Sequence, residues 1–410
     1  MVDNGNEGGR WPVAGTYDEA VAIAGELTEL RRAIHADPEI GLELPRTQRK
    51  VLDSLAGLPL EISLGAGLSS ITAVLRGARP GKTVLLRGDM DALPVTERSG
   101  VPYASTVAGA MHACGHDLHT AMLAGAAKLL SARQQELAGD IIFMFQPGEE
   151  GPGGARIMLA EGVLDAAGDR PVAAYALHVA SGLLPCGLVA SRPGTILAAA
   201  DTLHVTVHGR GGHGAQPHLA ADPVPVACEI VLALQTVITR QFDAFDPVVV
   251  TVGTFHAGTA ENVIPDDAHF VATIRSFSPQ ARAAIAQAAP RLARDIATAH
   301  GLTATAEFVD GYPVTVNNPA ELEFAEQTVA EVLGNGRYVA APNPLTGSED
   351  FSYVLEQVPG AFLMLGACPA DTDAGTAPFN HSAEAVFDDT VLPAGTALYA
   401  ELALRRLAAA

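Results

Sequence analysis

The segment Met111-His112-Ala113-Cys114-Gly115-His116-Asp117-Leu118-His119 gathers one thiol, three imidazoles and a carboxylate into a single short stretch. The whole chain has only 4 cysteines and 13 histidines, so this density is a signal in itself. Thiolate and imidazole are the ligands that borderline divalent ions such as zinc prefer. The bland alternative is a surface histidine cluster beside a small buried cysteine. An apolar run over 121–130 follows and reads as a helix, which places the cluster at a helix start.

Four other segments bring matching groups to the ends of strands. Asp140-Ile141-Ile142-Phe143-Met144-Phe145 reads as a buried strand and leads into Gln146-Pro147-Gly148-Glu149-Glu150-Gly151, a turn with two adjacent carboxylates. Val172-Ala173-Ala174-Tyr175-Ala176-Leu177 is a second apolar run, followed by His178. Thr83-Val84-Leu85-Leu86-Arg87 precedes Gly88-Asp89-Met90-Asp91. Ala361-Phe362-Leu363-Met364-Leu365 leads through a glycine-containing loop to Asn380-His381-Ser382. In open α/β sheets, ligands bind beyond the carboxyl ends of the strands. Four strands delivering carboxylate or imidazole to one edge predict a site there.

The elements that must position these groups are those of a mixed α/β protein. At 410 residues the chain exceeds one compact core and suits two domains, and 48% hydrophobic residues supply material for both. Residues 17–35 read as one helix from the spacing of Val21, Ile23, Leu27, Leu30 and Ile34. Strand and helix signals then alternate to about Gly187, which predicts a mostly parallel sheet flanked by helices. From about Ala199 the pattern changes to a half-exposed strand over 203–207, a glycine loop over 209–217 and a helix over 224–240. Strands over 247–255 and 269–277, a helix over 279–300 capped by Ser278, and a strand over 302–309 complete it. That order, β-α-β-β-α-β, is the ferredoxin-like unit. The expected division is therefore a catalytic domain of residues 1–195 and 311–410 with an inserted domain of residues 196–310.

Charge and cysteine usage exclude some partners. Lys and Arg total 25 against 46 Asp and Glu, a net charge of −21. That argues against nucleic acid and against anionic membranes. The scattered Cys114, Cys186, Cys228 and Cys368 show no disulfide framework, which predicts a reducing, cytoplasmic compartment. Residues 1–11 lack the basic-then-apolar pattern of a signal peptide and read as a loose tail. No uninterrupted apolar run is long enough to span a bilayer.

These residues resemble the dinuclear metallo-amidohydrolases that include hippurate hydrolases, N-acyl-L-amino-acid amidohydrolases and the plant indole-acetyl-amino-acid hydrolases. The resemblance runs from about Leu27 to Leu407. It is carried by Arg32-Ala33-Ile34-His35-Ala36-Asp37-Pro38-Glu39, Gly88-Asp89-Met90-Asp91-Ala92-Leu93-Pro94, the Cys114 segment, residues 146–150, the glycine loop, Asn262-Val263-Ile264-Pro265 and Gly347-Ser348-Glu349-Asp350-Phe351. It implies two divalent ions per subunit, zinc or manganese, held by Cys114, His116, Glu150, His178 and His381, with Cys114 as the bridging thiolate. Which ligand serves which ion stays open. It implies Glu149 as general base, although two adjacent glutamates after a Pro-Gly turn read by themselves as a solvated loop. Asp91 is expected to orient a ligand imidazole. His119 is expected to support or cap rather than ligate, and Asp117 suits a helix cap.

In the inserted domain the resemblance gives His213 the role of stabilising the developing oxyanion, often from a dimer partner, and gives His218 no role beyond capping. Asn262 and Arg275 match positions that contact a substrate carboxylate. Arg275 otherwise reads as a solvent-facing residue of an alternating strand. The function implied is metal-dependent hydrolysis of the amide bond of small N-acyl amino acids by a homodimer, with the inserted domain as lid and dimerisation surface. The rivals are a metallo-dipeptidase or aminopeptidase and a catalytically idle metal-binding relative. Cysteine at the bridging place, where peptidase relatives carry Asp, and the retention of Glu149 argue against them.

Overall fold

The computed structural model describes residues 15–409; the N-terminal tail read over residues 1–11 lies outside them. The chain divides into two compact units. The larger comprises the described residues up to Gly194, Val316–Pro342, and those from Tyr353 onward; the smaller comprises Thr195–Thr315 and Asn343–Ser352. The smaller unit therefore takes 311–315 and 343–352, which the sequence division gives to the larger domain. Strand Thr303–Tyr312 runs past the expected boundary, with Tyr312 opposite Ala200, and 343–352 is held by backbone pairing: Ala198 N–H donates to the carbonyls of Leu345 (3.1 Å) and Gly347 (2.9 Å), and Leu345 N–H donates to Ile196 (2.8 Å).

The larger unit is built on an eight-stranded mixed sheet. Its order is Leu60–Leu64, Ile71–Leu75, Ala138–Gln146, Arg79–Asp89, Pro171–Pro185, Gly360–Cys368, Val189–Ser191 and Tyr338–Ala340. The four central strands run parallel. Their buried apolar runs explain why: such strands are covered on both faces, and Ile141, Phe143, Phe145, Tyr175, Leu177 and Leu363 are all in one core. Helices His116–Ala132 and Leu392–Ala408 pack on strand Arg79–Asp89 and on each other. The first of these is buried on nearly every side, so it shows no polar stripe.

Register aligns the functional ends of these strands. Asp89 pairs with Gln146, Arg87 with Ala176, and Met364 with His178. Two expectations change. Residues 17–35 form two helices, Gly15–Ala22 and Ala24–His35, because Ile23 leaves helical geometry with φ −103° and ψ 8°. The strand before His178 does not stop there but continues to Pro185, since pairing with Gly360–Cys368 persists beyond the end of its other neighbour.

The smaller unit is a four-stranded antiparallel sheet in the order Val248–Ala257, Asp267–Ser276, Ala199–His208, Thr303–Tyr312. Helices Pro223–Gln241 and Pro279–Ala299 pack on the sheet, and this is the ferredoxin-like arrangement. Leu203, Val205 and Val207 alternate inward against Ile230, Leu234 and Ile285. Asp222 caps the first helix through Val224 N–H (3.0 Å) and Ser278 caps the second through Ala281 N–H (2.9 Å). Pro223–Gln241 has the length and apolar composition of a membrane span, but it buries Val226, Ala227, Ile230, Leu234 and Val237 within its unit.

Candidate metal centre

The cysteine segment is shaped by Gly115. It adopts φ 81° at the start of helix His116–Ala132, and a Cβ there would sit 2.3 Å from Val179 Cγ2. Only glycine tolerates both constraints, and the resulting turn brings Cys114 and His116 together. Hydrogen bonds to main-chain carbonyls fix the imidazole tautomers. His116 Nδ1–H donates to Asp91 O (2.9 Å) and His178 Nδ1–H to Val179 O (2.9 Å). Both Nε2 lone pairs are thereby left for another partner. His116 Nε2 is fully buried and has no hydrogen-bond partner, and His178 Nε2 lies 3.4 Å from Cys114 Sγ.

Glu150 and His381 close the other side. Glu150 Oε1 accepts no hydrogen bond, yet stands 3.1 Å from His381 Nε2 and 3.9 Å from His116 Nε2. His381 is anchored by its own N–H, which donates to Ala113 O (2.8 Å). Among the groups of side chains here that could hold an ion, two contain Cys114: Cys114, His116 and His178, and Cys114, Glu150 and His381. In each, all three atoms lie within 4.8 Å of one another. Cys114 Sγ is common to both. Burial pushes the Cys114 thiol up to about 12, and Glu150 adds to this; a thiolate here needs a cation beside it. Burial opposes charge on His116, but Asp89, Asp91 and Cys114 together outweigh it and raise its pKa well above the ordinary value. The surroundings that favour a proton on His116 would equally favour a metal ion there. A buried thiol, orphaned imidazole and carboxylate atoms, and a shared sulfur fit a two-ion site.

Asp91 faces the His116 imidazole with its main-chain carbonyl and with carboxylate Oδ1, which lies 3.4 Å from Nδ1, and it also holds the next turn. Its carboxylate accepts the N–H of Glu149 (Oδ1, 3.0 Å) and of Glu150 (Oδ2, 3.0 Å), while its main-chain carbonyl holds His116. The two glutamates thus sit on a clamped turn, and Glu149 is buried, not solvated. His119 Nδ1–H donates to Asp89 Oδ1 (2.5 Å), and its Nε2 accepts Val179 N–H (2.7 Å). With both nitrogens used it has no lone pair for an ion, so it supports the strand at His178. His112 is buried against His35 and belongs to neither ligand group. Asp117 is no helix cap; it is fully buried in an ion pair with Arg31.

The sequence reading gave no role to Arg31, His35, Asp89 or Asn380. Asn380 Nδ2–H donates to Cys114 O (3.2 Å) and Val179 O (2.9 Å), tying two ligand segments together. Arg31 and His35 share the buried side of helix Ala24–His35 with Leu27 and Ile34. Polar residues on an otherwise apolar stripe were the available signal.

In the smaller unit, His213 is exposed on a two-residue strand paired with Val263, and its Nδ1 accepts Ala215 N–H (3.1 Å). Asn262 is its neighbour: its carbonyl accepts Gly214 N–H (2.8 Å). Arg275 is half-buried rather than solvent-facing, and Nη1 donates to Thr273 Oγ1 (2.9 Å). His218 is exposed in a short turn, and the following helix is capped by Asp222.

Comparison with known proteins agrees with this chemistry. A model of the peptidase family M20/M25/M40 matches residues 85–405. The chain belongs to that family. It is 38% identical to thermostable carboxypeptidase 2 of Saccharolobus solfataricus, over 92% of this chain and 95% of that protein. It is 36% identical to the IAA-amino acid hydrolase ILR1-like 5 of Arabidopsis thaliana, over 92% of this chain and 86% of that one. A solved Bacillus subtilis structure, a dinuclear metal-binding peptidase of the M20 family, superposes with a TM-score of 0.81 at 31% identity, covering 95% of this chain and 99% of its own. As a member of the family, the chain is a metal-dependent amidohydrolase.

Proposed function

We propose that the protein releases an amino acid from small N-acyl amino acids at two divalent ions, zinc or manganese, held by Cys114, His116, Glu150, His178 and His381. The observation that carries this is the single sulfur shared by two ligand groups. In this reading His116 and His178 would serve one ion, and Glu150 and His381 the other. Bound ions supply Lewis acidity, polarising the acyl carbonyl and lowering the pKa of the attacking water. Glu149 takes the proton from that water and returns it to the leaving amine. Asp91 holds Glu149 and Glu150 through their amides, so base and ligand keep a fixed separation. His213 donates to the developing oxyanion, and Asn262 and Arg275 bind the substrate carboxylate, a geometry for which guanidinium is suited.

The smaller unit serves as lid and dimerisation surface in this reading. Its strand Val248–Ala257 pairs on one side only within its sheet and exposes Val249 and Phe255; a two-fold copy of the same edge would cover them. Four free cysteines support a reducing, cytoplasmic setting. The relative named a carboxypeptidase favours a second reading, removal of a C-terminal residue from a peptide. Both readings place a free carboxylate beside the scissile amide. A release assay over N-acetyl, N-benzoyl and indole-acetyl amino acids, free dipeptides and N-blocked dipeptides, with zinc and manganese in turn, decides between them. Turnover of N-acyl amino acids at least tenfold above every peptide is expected; the reverse order would replace the proposal with the carboxypeptidase reading.

A further inference from the structure

Helix Ala24–His35 carries Arg31 and His35 one turn apart, and both are buried. They converge on one oxygen. Arg31 Nε lies 2.9 Å and His35 Nδ1 2.7 Å from Asp117 Oδ2. Asp117 directly follows His116 and stands in the first helical turn after Cys114. The far side of each cationic group is also occupied. Arg31 Nη1 lies 3.0 Å from Asp389 Oδ1, on the chain that continues from His381. His35 Nε2 lies 3.1 Å from Glu97 Oε1, and Glu97 accepts Ser105 N–H (2.6 Å). The next residue, Arg98, donates its N–H to Ala383 O (2.7 Å), just beyond His381. The Tyr103 ring lies 4.6 Å from the Arg31 guanidinium and 4.5 Å from that of Arg32, with its edge toward His35.

We propose that Arg31, His35 and Asp117 are positioning residues for the metal centre: they lock the turn bearing Cys114 and His116 against the segment bearing His381, so the ligand atoms converge before an ion arrives. This rests on the ligand assignment above. Stability alone is a poor account of the cluster. Burying charges carries a desolvation penalty, and apolar side chains of similar volume would join the helices at least as well. Arg31 meets Asp117 Oδ2 by charge at close range, and the His35 Nδ1 hydrogen bond to the same oxygen adds direction and register. Ligands already ordered need lose less freedom on binding, which raises affinity.

The test is a zinc titration of the full chain against a chromogenic chelator, with circular dichroism and thermal unfolding on the same samples. Arg31→Lys and His35→Gln keep a hydrogen-bond donor and are expected to stay folded, to take two Zn²⁺ at saturation, and to bind them about 10–100-fold more weakly. KM is expected to stay at the wild-type value. Arg31→Met should weaken zinc further, with Arg31→Lys restoring part of the loss; if Arg31→Met does not fold, the two milder variants decide. A lowered melting temperature with unchanged zinc affinity in the folded protein overturns the proposal. Cys114→Ala in the same titration keeps the two readings apart. Full two-ion binding by that variant sinks the ligand assignment, whereas its loss of zinc alongside wild-type affinity in the Arg31 and His35 variants sinks only the positioning role.

Discussion

Replacing Asp91 by Asn separates two roles that one residue performs through different atoms. The main-chain carbonyl that holds His116 survives any substitution, so the imidazole keeps its tautomer. The carboxylate, which accepts the buried Glu149 amide and the partly buried Glu150 amide at 3.0 Å each, does not survive. An asparagine oxygen can keep one of them, and its NH₂ then faces the other N–H donor to donor. An unsatisfied buried donor costs about 1–3 kcal/mol. Asp91→Asn should therefore destabilise by about 1–3 kcal/mol and Asp91→Ala, which frees both amides, by roughly 2–6 kcal/mol, against a typical total of about 5–15 kcal/mol. The turn that slackens carries Glu149. A displacement of about 1 Å at a catalytic group can cost on the order of 10²-fold in rate, so kcat of Asp91→Asn should fall 10–100-fold even at saturating metal. The assay is urea unfolding together with kcat measured across metal concentrations. If excess metal restores kcat fully, the carboxylate acts on ion binding and the clamp is not its function. Wild-type stability in both variants would refute the hydrogen-bond argument itself.

Glu149→Gln should bind both ions normally and lose about 10²–10⁴-fold in kcat, because an amide cannot accept the proton; elemental analysis with steady-state kinetics checks this, and near-native turnover would move the base elsewhere. Cys114→Ala should lower metal content on both sides of the site and abolish turnover, since the two ligand groups share its sulfur; retention of two ions contradicts the bridge. His213→Ala should cut kcat by roughly 10²–10³ with metal content unchanged. If His213 acts across a dimer, mixing that variant with Glu149→Gln should restore part of the activity, and no recovery despite proven subunit exchange rules this out. For His35, burial works against the charged ring, but the Asp117 and Glu97 carboxylates outweigh it and push the pKa up to about 8. A raised folded-state value means stability that is fully present below about pH 6.5 and lost as pH rises through 8, worth roughly 2 kcal/mol; urea midpoints of chelator-treated protein should fall over that window, and a flat profile would show that His35 is not charged in the folded state.

What could be read from sequence was what chain neighbours settle. Cys114 and His116 share a turn, Glu149 and Glu150 follow a strand, and the buried strands announce themselves as apolar runs; local pattern and the strand-end rule suffice for these. The β-α-β-β-α-β order of the smaller unit was equally plain because its strands alternate cleanly. The partners that lay hidden are remote in the chain. Nothing local in Arg31 points to Asp117, and nothing in Asn380 points to the carbonyls of Cys114 and Val179. The excursion 343–352 into the smaller unit depends on main-chain pairing with 196–198, which side-chain pattern does not encode. The role of Asp91 was half visible: its nearness to an imidazole followed from the motif, but its clamp on the Glu149 and Glu150 amides depended on where that turn lands.

Two histidines of the cysteine segment show how the fold assigns chemistry to identical side chains. His116 and His119 both sit in the first turn of one helix, but main-chain groups treat them oppositely. A carbonyl at Asp91 takes the Nδ1 proton of His116 and leaves its Nε2 open. The N–H of Val179 fills Nε2 of His119 and removes it from the ligand set. Val179 does more, since its carbonyl accepts both His178 Nδ1–H and Asn380 Nδ2–H. One peptide segment therefore sets the tautomer of the proposed ligand His178, occupies a competing imidazole, and anchors the loop that ends in His381. Backbone groups cannot be deleted by substitution, so in the proposed centre the choice of ligands would follow from sheet register. Displacing strand Pro171–Pro185 by one residue would reverse the faces of its side chains and remove His178 and the Val179 contacts together, whereas replacing a supporting side chain weakens the centre without reassigning its ligands.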